Sequence, residues 1–118
     1  VRGDEAIVVR MFVTWLKSEG WTIDALRDHW DVIASKNGET LYCEAKGETS
    51  EPGLDIHTAY GQIICRQGEV DEQTARYCLV IRDEPRSLRA ALRAPARVRT
   101  LLRTSIYAVA HDGAVRIV

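Results

Sequence analysis

Cysteine is scarce and poorly spaced for its usual structural roles. The three in 118 residues, Cys43, Cys65 and Cys78, form an odd set with no C-x-x-C pair. That argues against a disulfide framework and against a zinc ribbon, and leaves reduced, buried thiols in a cytoplasmic protein as the expectation. No apolar run approaches the roughly 20 residues of a membrane span, and no segment has the make-up of a signal peptide, so no membrane partner is expected. Charge of one sign is not in excess either. The formal net charge is −1, so the distribution of charge has to decide whether nucleic acid is a partner. Internal repeats and low-complexity linkers are absent, which makes 1–118 one domain. Hydrophobic content of 46% and charged content of 28% are ordinary for a globular chain long enough to bury a core.

What the chain does have is a strong hairpin signal between residues 30 and 47. Asn37-Gly38 is a preferred pair for a two-residue type I′ turn, because both central residues need positive φ. Counting outward from it, Lys36 faces Glu39, Ser35 faces Thr40, Ala34 faces Leu41, Ile33 faces Tyr42, Val32 faces Cys43 and Asp31 faces Glu44. The last rung is the informative one. Like charges directly opposed across a strand pair destabilise it, unless something positive lies between them. A divalent cation is the simplest candidate, and hard oxygen ligands suit Mg²⁺ or Mn²⁺ rather than zinc. Side chains alternate along a strand, so Lys46 shares a face with Glu44, and His29 falls opposite Lys46 if pairing continues. Trp30, Val32, Ala34, Leu41, Cys43 and Ala45 form the other, apolar face.

An acid followed by E-x-K on the next strand resembles the PD-(D/E)xK nuclease superfamily, with its restriction-endonuclease-like fold. The resemblance is carried by Asp31 and by Glu44-Ala45-Lys46, with Trp30 standing where the proline of the name would be. It implies a metal-dependent endonuclease acting on DNA. Asp31 and Glu44 would bind the metal, with the Ala45 backbone carbonyl as a further ligand. Lys46 would orient the attacking water or stabilise the developing negative charge.

The remaining elements are read in order. Residues 4–19 form a helix with Asp4 as N-cap and Gly20 as stop, and Val8, Val9, Met11, Phe12, Trp15 and Leu16 supply its apolar face. Glu5 has two readings. It is a first-turn acid that complements the helix dipole, or it reaches the metal site, as a first-helix Glu does in part of the resembling superfamily. Residues 20–26 form a short strand, and His29 reads as a surface histidine. Residues 47–55 form a loop beside the site, rich in turn residues but made acidic by Glu48 and Glu51.

Asp55 then caps a second helix over 56–66, buried through Ile56, Ala59, Tyr60, Ile63 and Ile64. Its Gln62 is either an exposed helix residue or the site-directed polar residue that many members of the resembling superfamily carry on the helix after E-x-K. A polar turn follows over 67–73. Residues 74–82 make a strand buried on both faces. Arg86, Arg89, Arg93 and Arg97 have 3-4-4 spacing on a helix that Pro95 splits, with Val98, Leu101 and Leu102 inward. Such a row is a solvated outer face or a set of phosphate contacts. A hairpin around Asp112-Gly113 closes the chain.

The expected fold is therefore α/β, an αβββαβ core with a central mixed sheet flanked by helices and a C-terminal helix and hairpin. The favoured function is metal-dependent hydrolysis of phosphodiester bonds in DNA. The alternatives are an inactive nuclease-fold module that binds DNA or a protein partner, and an interaction domain in which Asp31, Glu44 and Lys46 are a surface salt-bridge cluster. No separate DNA-reading domain fits in 118 residues, so sequence specificity would come from a further domain or subunit, or from a homodimer making the two cuts of a duplex.

Overall fold

The Asn37-Gly38 turn forms as its sequence demands, with φ of 51° and 81°. The strands on either side pair from Lys36↔Glu39 to Val32↔Cys43, the register counted outward from the turn. The structure is a computed structural model that describes residues 3–67 and 73–118. Its elements are α1 (Asp4–Ser18), β1 (Thr22–Ile23), β2 (Val32–Lys36), β3 (Glu39–Ala45), α2 (Pro52–Gln67), β4 (Ala75–Arg82), α3 (Pro85–Ala91), α4 (Ala96–Leu101), β5 (Thr104–Val109) and β6 (Val115–Ile117). The polar turn expected over 67–73 lies mostly outside the described residues.

The six strands lie in one sheet in chain order. β1, β2 and β3 are antiparallel. The α2 crossover brings β4 in parallel to β3, and α3 with α4 brings β5 in parallel to β4. β6 then folds back antiparallel on β5. α1 covers one face, where Val8, Phe12 and Leu16 pack with Val32, Ala34, Leu41, Cys43 and Ala45. α2 and α3 cover the other, with Ile56, Ala59, Ile63, Ala90 and Ala91 against Ile33, Tyr42, Leu79 and Ile81. Each of the large aliphatic and aromatic side chains removed from water here contributes on the order of 1.5–3 kcal/mol. β4 explains its unbroken apolar run, since Tyr77, Leu79 and Ile81 enter one core layer while Cys78 and Val80 enter the other.

Several local expectations are corrected. Gly3, at φ 88°, precedes α1, and Asp4 is its first helical residue rather than its cap. α2 starts at Pro52, a residue suited to the first helical turn because it has no N–H to leave unpaired. Asp55 therefore lies within the first turn instead of capping it. Trp30 belongs to the α2 face, where it packs on Tyr42 and Tyr77. Strand alternation fails before Asp31 because Asp28 and His29 take left-handed φ of 57° and 64°. The same turn ends the ladder before His29 can face Lys46. Ile64 is 48% exposed at the margin of the α2 stripe, and Leu101 is 83% exposed. α4 has only six residues and no buried one, and Val98 and Leu102 are half-buried. Cys65 is exposed, whereas Cys43 and Cys78 are buried neighbours.

Candidate active site

The C-terminal end of β3 is where the acids collect. The rung expected between Asp31 and Glu44 is not a regular one, because the ladder stops at Val32↔Cys43 and the chain bends at Asp31. Two hydrogen bonds hold the bend. The Asp31 N–H donates to the Cys43 carbonyl at 2.9 Å, and Asp31 Oδ2 accepts from the Ala45 N–H at 2.8 Å. The carboxylate is thereby fixed beside the last residues of β3, with Oδ2 already committed to an amide.

Glu44 points to the α2 face and is 4% exposed. Its Oε2 lies 2.6 Å from Arg66 Nη1 and its Oε1 lies 4.0 Å from Lys46 Nζ. Burial pushes the Glu44 carboxyl above its usual range, and the Asp31 charge pushes it the same way. Arg66 and Lys46 oppose the rise. An acid this buried is not part of a solvated surface cluster. Arg66 was not singled out in the sequence. It lies at the end of α2, its guanidinium 5.3 Å from the centre of the Trp30 ring, and it neutralises a charge that would otherwise be costly to bury.

Lys46 also reaches the first helix, with Nζ 3.8 Å from Glu5 Oε1. Burial raises the Glu5 carboxyl, Lys46 opposes that rise, and Asp31 and Asp55 add to it. Glu5, Asp31, Glu44 and Lys46 are therefore brought together, and Asp55 lies near enough to be felt. Asp55 accepts a hydrogen bond from Thr49 Oγ1 at 2.5 Å.

What holds Glu5 there is its neighbour. Asp4 makes a two-pronged ion pair with Arg82 at the end of β4, with Nη2–Oδ1 at 2.6 Å and Nε–Oδ2 at 3.0 Å. Asp4 Oδ2 also accepts from the Glu48 N–H at 2.6 Å. The guanidinium holds the Asp4 carboxyl down at about 2, against the opposing effect of burial. The helix start is pressed so closely onto the chain after Lys46 that a Cβ on Gly47 would stand 2.5 Å from the Glu5 nitrogen. Gly47, directly following E-x-K, is the sequence signal for this packing.

Gln62 lies one turn before Arg66 on α2, and the two share a face. Its Oε1 is buried and has no hydrogen-bond partner among the described residues, which in a native protein calls for water, an ion or a substrate group. The arginine row is broken as Pro95 implied. Arg86 and Arg89 lie on α3, Arg93 in the following turn and Arg97 on α4, and all four are exposed. Arg82, four residues before that row, is buried and paired with Asp4.

Among the described residues no three side chains of Asp, Glu, His or Cys converge as a ready-made metal cage. The donor chemistry nevertheless fits a hard cation that keeps much of its water. The Asp31 and Glu44 carboxylates lie within electrostatic reach of each other, and the Gln62 Oε1 on α2 has no partner among the described residues.

No protein-family model matches this chain, and no curated protein matches it. Solved structures do. One is an XisH family protein from Nostoc punctiforme, 16% identical, with a TM-score of 0.66 over 97% of this chain and 98% of that one. Another is an fdxN element excision controlling factor protein from Anabaena variabilis, 19% identical, with a TM-score of 0.70 over 98% of this chain and 97% of that one. The likeness establishes a shared fold. That fold is α/β, a mixed six-stranded sheet flanked by helices, in the expected αβββαβ order.

Among the described residues no helix is long and apolar enough to cross a membrane.

Proposed function

We propose that this protein is a metal-dependent nuclease that hydrolyses phosphodiester bonds in DNA. The observation that carries the reading is the grouping of Asp31, Glu44 and Lys46 at one strand end, with Glu5 of α1 beside Lys46 and with Gln62 one turn before the Arg66 that meets Glu44 on α2. A DNA-related role also accords with the description of a similarly folded protein as an excision controlling factor.

Asp31 and Glu44 would hold Mg²⁺ or Mn²⁺, with the Ala45 carbonyl as a further donor. Bound there, such a cation would supply Lewis acidity and a lowered pKa for bound water. Lys46 places an ammonium group between Glu5 and Glu44, where it orients that water and offsets negative charge developing on the phosphate. Glu5 sets the position of Lys46 from the other side and serves as an additional carboxylate. Gln62 offers its free acceptor to the water or to Lys46.

Supercoiled plasmid incubated with Mn²⁺ tests this. Nicked and linear products should appear, and Glu44→Gln and Lys46→Met should each remove them. Intact plasmid with wild-type protein refutes the enzyme. The alternative, an inactive nuclease-fold module, then stands if Mn²⁺ still raises the melting temperature.

A further inference from the structure

Three arginines converge on the loop that leaves the proposed metal site. Arg86 and Arg89 lie on α3, and Arg93 lies in the turn after it. They form one wall of a cleft of about 230 Å³, and residues 50–54 form the other. Arg86 Nη2 donates to the Ser50 carbonyl at 3.1 Å. Arg93 Nη1 comes so close to the start of α2 that a Cβ on Gly53 would be 3.1 Å from it. Arg97 belongs to the same row in sequence, yet the turn after α3 leaves it outside the cleft.

Among the described residues, Glu51 is the one acid on its walls, against three arginines. Three arginines against one acid leave the cleft net positive, and guanidinium pairs with phosphate through two parallel hydrogen bonds. The site end of the loop is fixed. Lys46 belongs to the proposed active site, the Glu48 N–H is tied to Asp4, and Thr49 is tied to Asp55. Ser50 follows directly, so the cleft begins four residues beyond Lys46.

We propose that Arg86, Arg89 and Arg93 form a phosphate subsite that grips the sugar–phosphate backbone of the nucleic acid to one side of the reacting bond. Its link to catalysis rests on the nuclease reading, but its capacity to bind does not.

The test is binding of a fluorescent DNA duplex in EDTA, where no metal-dependent cutting occurs, across a salt series. Arg89→Ala/Arg93→Ala should weaken binding at least about tenfold at low salt. It should also reduce the slope of log K against log [salt] by about 0.9 for each phosphate no longer neutralised. Arg97→Ala should change neither, and the melting temperatures of all variants should stay near wild type because the replaced side chains are exposed. Wild-type-like binding by the double variant overturns the subsite, as does equal weakening by Arg97→Ala, which would mean diffuse surface charge. Tighter binding to polyglutamate than to DNA overturns the choice of nucleic acid. Plasmid cutting in Mn²⁺ is scored separately. Arginine-dependent binding without cutting leaves the subsite and refutes the nuclease, whereas cutting with unaltered binding by the double variant refutes the subsite alone.

Discussion

Arg66 Nη1 lies 2.6 Å from Glu44 Oε2, so the carboxylate assigned to the cation already has a positive partner within the fold. The pair is well shielded, with side chains 15% and 6% exposed. Breaking a buried pair from one side typically costs about 3–5 kcal/mol, because the other charge is left stranded. Lys46 at 4.0 Å offsets part of that. Arg66→Met should therefore cost roughly 2–4 kcal/mol in urea denaturation, and Mn²⁺ should recover more stability in this variant than in wild type. Adding Glu44→Gln should restore most of the loss and abolish the recovery by Mn²⁺. An Arg66→Met protein as stable as wild type would contradict the pairing.

Asp31 has a structural role and a proposed chemical one, and two substitutions separate them. Asparagine keeps an acceptor for the Ala45 N–H, while alanine removes it. Asp31→Ala should lose about 1 kcal/mol of stability from the missing hydrogen bond, and Asp31→Asn should lose less. Both should lose the rise in melting temperature caused by Mn²⁺. Thermal melts with and without Mn²⁺ measure both effects at once.

Gly47 is fixed by proximity. Gly47→Ala would drive a methyl group to 2.5 Å from the Glu5 nitrogen and 2.8 Å from the Asp4 carbonyl carbon. Both are backbone atoms, so α1 must shift rather than a side chain. An overpacking cost of about 1–3 kcal/mol is expected, with plasmid cutting falling more steeply because Glu5 and Lys46 move apart. Equilibrium unfolding and the cleavage rate provide the comparison with wild type.

Acid should expose the Asp4–Arg82 pair. The Asp4 carboxyl is lowered from 3.8 to about 2. Its contribution is present above the unfolded value and disappears as pH falls from about 4 to about 2. The stability gap between wild type and Asp4→Asn should narrow across that window. Glu5 and Glu44, raised in the fold, act in the opposite sense. Their raised values mean that the fold holds them less readily as carboxylates than the unfolded chain does, so their contribution to stability rises as pH falls from neutral. Mn²⁺ affinity should fall over the same acidification, because cation and proton compete for Glu44. Denaturation midpoints over a pH series, with and without metal, check both signs.

The hairpin was legible because its turn chemistry is local. Asn37-Gly38 sets the register, and the register places Glu44 and Lys46. Legibility stopped where distant residues decide. Nothing around Asp31 announces the left-handed turn at Asp28 and His29 that moved Trp30 to the other face. Arg66 and Glu44 are 22 residues apart, and Asp4 and Arg82 are 78 apart. No local pattern distinguishes these two arginines from the exposed ones. Gly47 could have been read, since a glycine straight after the strand's last charged residue hints at a close backbone approach.

Asp31 and Glu44 are proposed to share one divalent cation. Anomalous diffraction from a crystal soaked in Mn²⁺ tests it most directly. A peak bounded by both carboxylates is expected, absent from Asp31→Asn crystals treated alike. A soaked wild-type crystal with no peak between Asp31 and Glu44, or with Mn²⁺ bound only elsewhere, would contradict it.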